Sequence, residues 1–107
     1  MTGEVQIGNK TVVMAANAAT PFIYRQVFGS DLLAEFQKKT VDTNVIVRLE
    51  FIMAMQAEKG STGALKTKEE EFFAWLEQFE PMEPLMAGAD AINIYNKQEK
   101  TTSVPKK

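Results

Sequence analysis

The stretch near the start of the chain that decides the fold reads Glu4-Val5-Gln6-Ile7-Gly8-Asn9-Lys10-Thr11-Val12-Val13-Met14. Two segments with strand-like alternation flank the pair Gly8-Asn9, which supplies the positive φ angles of a two-residue hairpin turn. This loop length sets a register in which one face of the hairpin is apolar. That face consists of Val5, Ile7, Val12 and Met14. Because an isolated hairpin is marginally stable in water, its apolar face must pack on helices.

The residues after the hairpin predict two short helices. Thr20-Pro21 has the form of an N-cap followed by proline at the first helical position, and Gly29 ends this helix, which spans Pro21–Phe28. Ser30-Asp31 begins the second helix, and Lys38-Lys39 lie in its last turn, where positive charge suits the helix dipole.

From Asp42 to about Glu58 the chain contains no glycine or proline, which predicts a longer helix with two apolar faces. One face carries Val45, Leu49, Ile52 and Met53, and the other carries Val47, Phe51 and Met55. Such a helix is either the central helix of a domain or half of a subunit contact. We favour the central helix and keep Val47, Phe51 and Met55 as candidates for self-association in a homo-oligomer. The β-branched start at Val45 leaves a strand-like first turn as an alternative.

The second half of the chain is also helical in pattern. Gly60-Ser61-Thr62-Gly63 predicts a loop, and it is not a phosphate-binding loop because Leu65 stands where that motif needs glycine. Thr67-Lys68-Glu69-Glu70 is a capping box that begins a helix carrying Phe72, Phe73, Trp75, Leu76 and Phe79. After Pro81 and Pro84, a last helical stripe consists of Leu85, Met86, Ala89, Ile92 and Tyr95.

The composition excludes most enzyme chemistry. The chain has 107 residues, with 12 Lys+Arg against 14 Asp+Glu and no Cys or His. This length allows one domain, and the missing thiol and imidazole remove disulfides, zinc fingers and most acid–base or nucleophilic catalysis. We therefore expect no enzymatic activity, no cofactor and no metal.

Signals for membranes and nucleic acids are missing as well. Residues Met1–Glu4 lack the basic region of a signal peptide, and the longest apolar run, Phe51–Met55, is far shorter than the ~20 residues of a membrane span. No basic cluster occurs among the first 96 residues, so we expect no nucleic-acid partner. These observations predict a cytoplasmic protein.

The segment Glu69–Asp90 holds seven acidic residues and no basic one, interleaved with aromatic side chains and two methionines. A solvated acidic face is the simpler explanation. The alternative is a docking surface, on which aromatic anchors rimmed by acids bind a protein of opposite charge. The candidate partner-binding residues are Phe72, Trp75, Phe79, Glu77, Glu80, Glu83 and Tyr95. For Trp75 we favour a place in the core. Unfolding of the protein when Trp75 is substituted would show that it is a core residue.

The predicted architecture is one α+β, mostly helical domain over residues 1–96, in which the N-terminal β-hairpin packs on four or five short helices. Residues 97–107 contain four lysines and one glutamate and almost no apolar side chain. This composition predicts a flexible, disordered basic tail that can fold on binding.

Further motifs are spread along almost the whole chain. They are Asn17-Ala18-Ala19-Thr20-Pro21, Tyr24-Arg25, Phe28-Gly29-Ser30-Asp31-Leu32-Leu33, Phe72-Phe73-Ala74-Trp75-Leu76-Glu77-Gln78-Phe79 and Lys100-Thr101-Thr102-Ser103-Val104-Pro105-Lys106-Lys107. After an N-terminal hairpin, this series resembles the phage tail assembly chaperones of long-tailed phages and prophages of Gram-positive bacteria.

The resemblance implies a non-enzymatic protein that acts in the cytoplasm of the bacterial host and is absent from the finished virion. Proteins of this family bind the tape measure protein, keep it soluble and recruit tail tube subunits. A programmed ribosomal frameshift commonly yields an extended second product in the family, and this product would be the one that contacts the tail tube protein.

The alternative hypothesis is a small phage or prophage regulator that uses residues Pro21–Lys39 as a helix-turn-helix. The basic residues of that stretch are Arg25, Lys38 and Lys39, and its acidic residues are Asp31 and Glu35. A recognition helix for DNA needs a stronger basic character than this.

Overall fold

The computed structural model describes residues 2–103, with side chains described for residues 2–96. In this part of the chain, two strands precede six helices. They are β1 (Thr2–Ile7), β2 (Lys10–Ala15), α1 (Thr20–Phe28), α2 (Leu32–Phe36), α3 (Thr43–Leu65), α4 (Glu69–Leu76), α5 (Glu83–Met86) and α6 (Gly88–Ser103). The predicted α+β, mostly helical architecture with an N-terminal hairpin packed on helices is confirmed. The predicted tail, residues 97–107, lies outside the residues whose side chains are described.

The hairpin has the register that its loop length predicts. Strands β1 and β2 are antiparallel, with Ile7 opposite Lys10 and Val5 opposite Val12. The side chains of Val5, Ile7 and Met14 are buried, which confirms the apolar face. Of the two turn residues, Gly8 has a positive φ of 64° and Asn9 does not. A positive φ at the first central position is the pattern of a type II′ turn, so the expectation of two positive angles is corrected.

Helix α3 is the central helix of the domain. Both faces of its middle part are buried, and Leu49, Phe51, Ile52 and Met53 have no exposed surface. The hairpin, α1, α4, α5 and α6 all pack on it. The central-helix prediction is confirmed, and the β-branched segment at Val45 is helical, because packing of its side chains outweighs their modest strand preference.

Helix α3 is 23 residues long. Neither it nor another helix of the described residues combines the length and the apolar character that a membrane crossing requires.

The ends of α1 and α2 differ from prediction by one to three residues. Ala19 is the N-cap of α1, and Thr20 is its first helical residue. Gly29 ends α1 with a φ of 79°, as predicted. The carboxylate of Asp31 caps α2, also as predicted, but α2 stops at Phe36. Lys38-Lys39 therefore lie beyond the helix instead of in its last turn.

The glycine-rich segment is a kink and not an open loop. Gly60 has a φ of 77° and interrupts α3, after which the chain resumes a helical turn to Leu65. The cap of α4 is shifted by one residue from the predicted box. The Glu71 carboxylate accepts a hydrogen bond from the backbone N–H of Lys68 at 3.0 Å. The hydroxyl of Thr67 is buried without a hydrogen-bond partner.

The last apolar stripe is also shifted from prediction. Leu85, Met86 and Ala89 are exposed, whereas Ala87, Ala91 and Ile94 are buried. The reason is that Leu85 and Met86 belong to the separate short helix α5, so they do not continue the face of α6. Small residues then allow α6 to approach closely: a Cβ atom on Gly88 would lie 3.0 Å from Cγ2 of Ile46 on α3.

Candidate partner-binding groove

Helix α4 carries two adjacent phenylalanines that differ in burial, with ring centroids 5.5 Å apart. The ring of Phe72 is buried and lies 5.2 Å from the ring of Phe28 and 5.4 Å from the ring of Phe51, measured between centroids. The side chain of Phe73, one residue later, is 58% exposed. Adjacent residues on a helix point about 100° apart, and on α4 the ring of Phe72 enters the core while that of Phe73 stays at the surface.

Trp75 lies at the edge of the core. It is half-buried, and its ring is 5.6 Å from that of Phe51 and 5.0 Å from that of Phe79. Phe79 is half-buried as well. These contacts form an aromatic series that connects α1, α3 and α4, and they attach α4 to the domain.

An apolar groove with a volume of about 400 Å³ lies between α3, α4 and α5. Its lining residues are Asn44, Val47, Arg48, Phe72, Phe73, Leu76, Pro81, Pro84 and Leu85. Val47, Phe72 and Pro84 are buried and form its floor. Phe73 and Leu85 are exposed at its rim, the latter by 39%. Met82 and Met86, which are 59% and 78% exposed, extend the exposed apolar surface along the chain beside it.

Acidic side chains surround the exposed face of α4. Glu69 and Glu77 stand four residues before and after Phe73, which places all three on one side of the helix. Glu80 follows in the connection to α5, and all three acids are exposed. None of them forms an ion pair among the residues that the structure describes. They are therefore free to attract a positively charged partner.

Two other acids of this segment have partners within the chain. Glu71 accepts from the Lys68 backbone N–H and lies 3.3 Å from the Lys59 ammonium, and these contacts lower the pKa of its carboxyl group. Glu83 accepts a hydrogen bond from the backbone N–H of Glu80 at 2.9 Å. Its carboxylate also lies against Gly8 in the hairpin turn, where a Cβ atom would collide with it.

Arg48 is the one basic side chain among the described residues that line the groove. Its guanidinium carbon lies 5.1 Å from the centroid of the Phe28 ring, a cation–π distance. The side chain is half-buried. It therefore belongs to the wall of the groove, whereas the exposed acids Glu69, Glu77 and Glu80 lie beside the groove, on α4 and on the connection that follows it.

The structure brings some of the proposed site residues together and separates others. Phe72 lines the groove, and Glu77 and Glu80 lie on the chain between its lining residues Leu76 and Pro81. Trp75 and Phe79 do not line it. Tyr95 does not line it either, and its ring packs on that of Phe36 with 5.8 Å between the centroids. The candidates for self-association, Val47, Phe51 and Met55, are 8%, 0% and 7% exposed, so the chain itself covers them.

Among the groove residues that sequence reasoning missed are Phe73, Leu85 and Arg48. The pattern contained a signal for one of them, because adjacent phenylalanines point about 100° apart on a helix and can therefore differ in burial. Leu85 was assigned to the buried stripe of α6, from which the structure separates it. The position of Arg48 over Phe28 depends on how α1 packs on α3, which no local pattern encodes.

A polar cluster joins the start of α1 to the kink in α3. The Thr20 hydroxyl donates to Oε1 of Gln56 at 2.6 Å and accepts from the Asn17 backbone N–H at 3.0 Å. Nε2 of Gln56 donates to Oδ1 of Asn17 and to Oγ of Ser61, both at 3.2 Å. Because each buried polar group in this cluster has a partner, we interpret it as a structural clamp on the segment between the hairpin and α1.

Glu50, in contrast to Thr20 and Gln56, is a buried polar residue whose side chain forms no hydrogen bond. It lies on α3 with no exposed surface, and neither carboxylate oxygen has a hydrogen-bond partner. Burial raises the pKa of its carboxyl group from 4.5 to about 8. Its Oε2 atom faces Gly88, where a Cβ atom would be 3.9 Å away. Glu50 therefore lies in the contact between α3 and the first turn of α6, in its neutral form at pH 7.

Comparison of the chain with protein-family models, with curated proteins and with solved structures finds no match. The features of the chain that indicate a function are therefore its sequence motifs and the groove itself.

Proposed function

We propose that this protein is a phage tail assembly chaperone, which binds the tape measure protein and keeps it soluble while tail tube subunits are recruited. The observation that carries the proposal is the apolar groove with the exposed Phe73 at its rim and, beside it on α4 and the following connection, exposed acids that form no ion pair within the described residues. The resemblance of the sequence motifs to that family supplies the identity of the partner. The place of action is then the cytoplasm of the bacterial host, and the protein is absent from the finished virion.

The physical requirements of such a chaperone agree with the surface of α4 and α5. A protein that shields apolar segments of another protein must expose apolar surface of its own before binding. It must also stay soluble in that state, and the exposed carboxylates of Glu69, Glu77 and Glu80 provide charge around the exposed rings. The missing Cys and His side chains fit a protein that acts by binding and not by catalysis.

Recruitment of the tail tube protein is the second part of the proposal. In the family that the sequence resembles, an extended product of a programmed frameshift commonly serves this purpose. Mass spectrometry of the protein expressed from its native gene, with the downstream reading frame intact, tests whether a longer product is made. Detection of the short product alone would contradict this part of the proposal.

The direct test is co-expression of the tape measure protein with and without this chain. We expect the soluble fraction of the tape measure protein to rise several-fold when the chain is present. Phe73→Ser removes the exposed ring at the groove and should abolish most of this gain. Phe22→Ser is the matched control, because Phe22 is 72% exposed on α1 and does not line the groove. Equal insolubility with and without the chain would refute the proposal.

The regulator hypothesis gains nothing from the described residues. Helix α2, which would have to serve as the recognition helix, contains five residues, and among them Glu35 is the charged one. A recognition helix places several side chains in the major groove and is supported by basic contacts to phosphates. A gel-shift assay at low salt tests this alternative, and a sequence-dependent shift would restore it.

A further inference from the structure

The groove is lined almost entirely by residues of helices. Its walls come from α3, α4, α5 and the connection at Pro81, and none of its lining residues belongs to β1 or β2. A bound segment therefore finds no strand edge with which to pair its backbone. Because buried N–H and C=O groups need hydrogen bonds, an occupant that satisfies its own backbone is favoured, and the α-helix does so.

The size of the groove sets what enters it. A volume of about 400 Å³ holds a few aliphatic side chains and is too small for a whole helix, whose diameter with side chains is about 10–12 Å. A helix would lie across the groove and insert side chains that recur at i, i+3/i+4 and i+7 spacing. Phe73 on α4 and Leu85 on α5 are exposed where they line the groove, so both are available to contact such a helix.

The charge around the groove distinguishes a foreign partner from a second copy of this chain. Glu69, Glu77 and Glu80 are exposed, and no ion pair within the described residues neutralises them. A symmetric dimer through this face would bring the same acids of two chains together, which is unfavourable. A partner with lysine or arginine beside its apolar stripe would instead form charge-complementary contacts at the rim.

We propose that the groove between α3, α4 and α5 binds one amphipathic helix of the partner, whose apolar stripe is flanked by basic residues. The inference rests on the proposed function and specifies the segment of the partner that the chaperone would recognise. Apolar insertion supplies the affinity, and the acids of α4 select the charge of the helix and increase the rate of association.

The test uses the full chain and two synthetic peptides of about 18 residues that share the same leucine pattern at i, i+3/i+4 and i+7. One peptide carries lysines beside the leucines, and the other carries glutamates at the same positions. Fluorescence anisotropy measures binding of each labelled peptide. We expect the lysine peptide to bind at least about tenfold more tightly, with an affinity that falls as salt is added. A peptide of alternating valine and lysine, which favours a strand, should bind more weakly than the lysine helix.

Variants of the chain separate specific docking from general attraction between charges. Phe73→Ser should weaken binding of the lysine peptide about tenfold, and Glu77→Gln with Glu80→Gln should reduce its salt dependence. Phe22→Ser and Glu58→Gln are the matched controls, because both residues are exposed and neither lines the groove. Circular dichroism verifies that each variant is folded.

The outcomes distinguish the inference from the function on which it rests. Equal binding of the lysine and glutamate peptides, tighter binding of the strand-forming peptide, or unchanged binding by Phe73→Ser would overturn the inference. If the tape measure protein is nevertheless kept soluble, the proposed function stands and only the inference about helix binding in the groove is lost. Binding of the lysine peptide together with an insoluble tape measure protein would instead refute the function and retain the groove as a helix-binding site.

Discussion

The unpaired carboxyl group of Glu50 makes the stability of this protein depend on pH in a definite direction. Glu50 has no exposed surface, and burial raises its pKa from 4.5 to about 8. Below the unfolded-state value, the carboxyl group is protonated in both states. As the pH rises from 4.5 toward 8, the unfolded chain loses this proton while the folded chain keeps it. The free energy of unfolding therefore falls over this range and levels off above the folded-state pKa.

The magnitude follows from the size of the shift. Each pH unit between the two pKa values removes about 1.4 kcal/mol from the free energy of unfolding. From pH 4.5 to pH 7 the loss is about 3 kcal/mol, given the folded-state pKa of about 8. This is a large part of the roughly 5–15 kcal/mol by which small domains are stable.

The measurement is urea denaturation at a series of pH values from 5 to 8 for the wild type, Glu50→Gln and Glu58→Gln. Glutamine cannot ionise, so the difference in stability between Glu50→Gln and the wild type should shift in favour of the variant by about 1.4 kcal/mol for each pH unit. Glu58 is exposed near the end of the same helix and serves as the matched control. A difference between Glu50→Gln and wild type that stays constant from pH 5 to 8 would refute the reasoning.

Three further predictions test the packing. Phe72→Ala should cost about 3–5 kcal/mol in urea denaturation because it empties a buried aromatic site, whereas Phe73→Ala should change stability by less than about 0.5 kcal/mol; similar costs would contradict their placement. Thr20→Val and Gln56→Leu should each lower the free energy of unfolding by about 1–3 kcal/mol. A double-mutant cycle should show a favourable coupling between the two side chains, which form a 2.6 Å hydrogen bond. Strictly additive effects would mean that this hydrogen bond is not formed. Gly29→Ala should cost about 1 kcal/mol, because φ is 79° and no atom within 4 Å would hinder the added Cβ; a stabilised variant would argue against the left-handed helix end.

The parts of the fold that were predictable depend on local rules. The hairpin register follows from a two-residue loop and the period-2 alternation of Val5 and Ile7, which together leave one pairing that buries the apolar face. The central helix follows from a long segment without glycine or proline that is apolar on two sides. The end of α1 at Gly29 and the cap of α2 at Asp31 also follow from local sequence, because each residue satisfies backbone groups at one helix end.

The helix ends that were misplaced involve competing partners for the same side chain. Thr20 could cap α1, but its hydroxyl instead meets Gln56 from a helix 36 residues away in sequence. The box predicted at Thr67 moved by one residue because Glu71 reaches the Lys68 N–H and the Lys59 ammonium together. Which partner such a side chain takes depends on the residues that the tertiary fold places beside it. A local sequence pattern contains no information on those residues.

For the candidate site, the sequence by itself determined the composition of the surface: an acidic segment rich in aromatic residues, with no basic side chain from Glu69 to Asp90. The tertiary structure decided which of those residues are accessible. It placed Phe72 in the core and Phe73 at the rim, and it separated Leu85 from the stripe of α6 and brought it to the groove. The physical reason is that hydrophobicity fixes how much apolar surface a chain must bury, whereas the packing of helices against one another selects which side chains are left over.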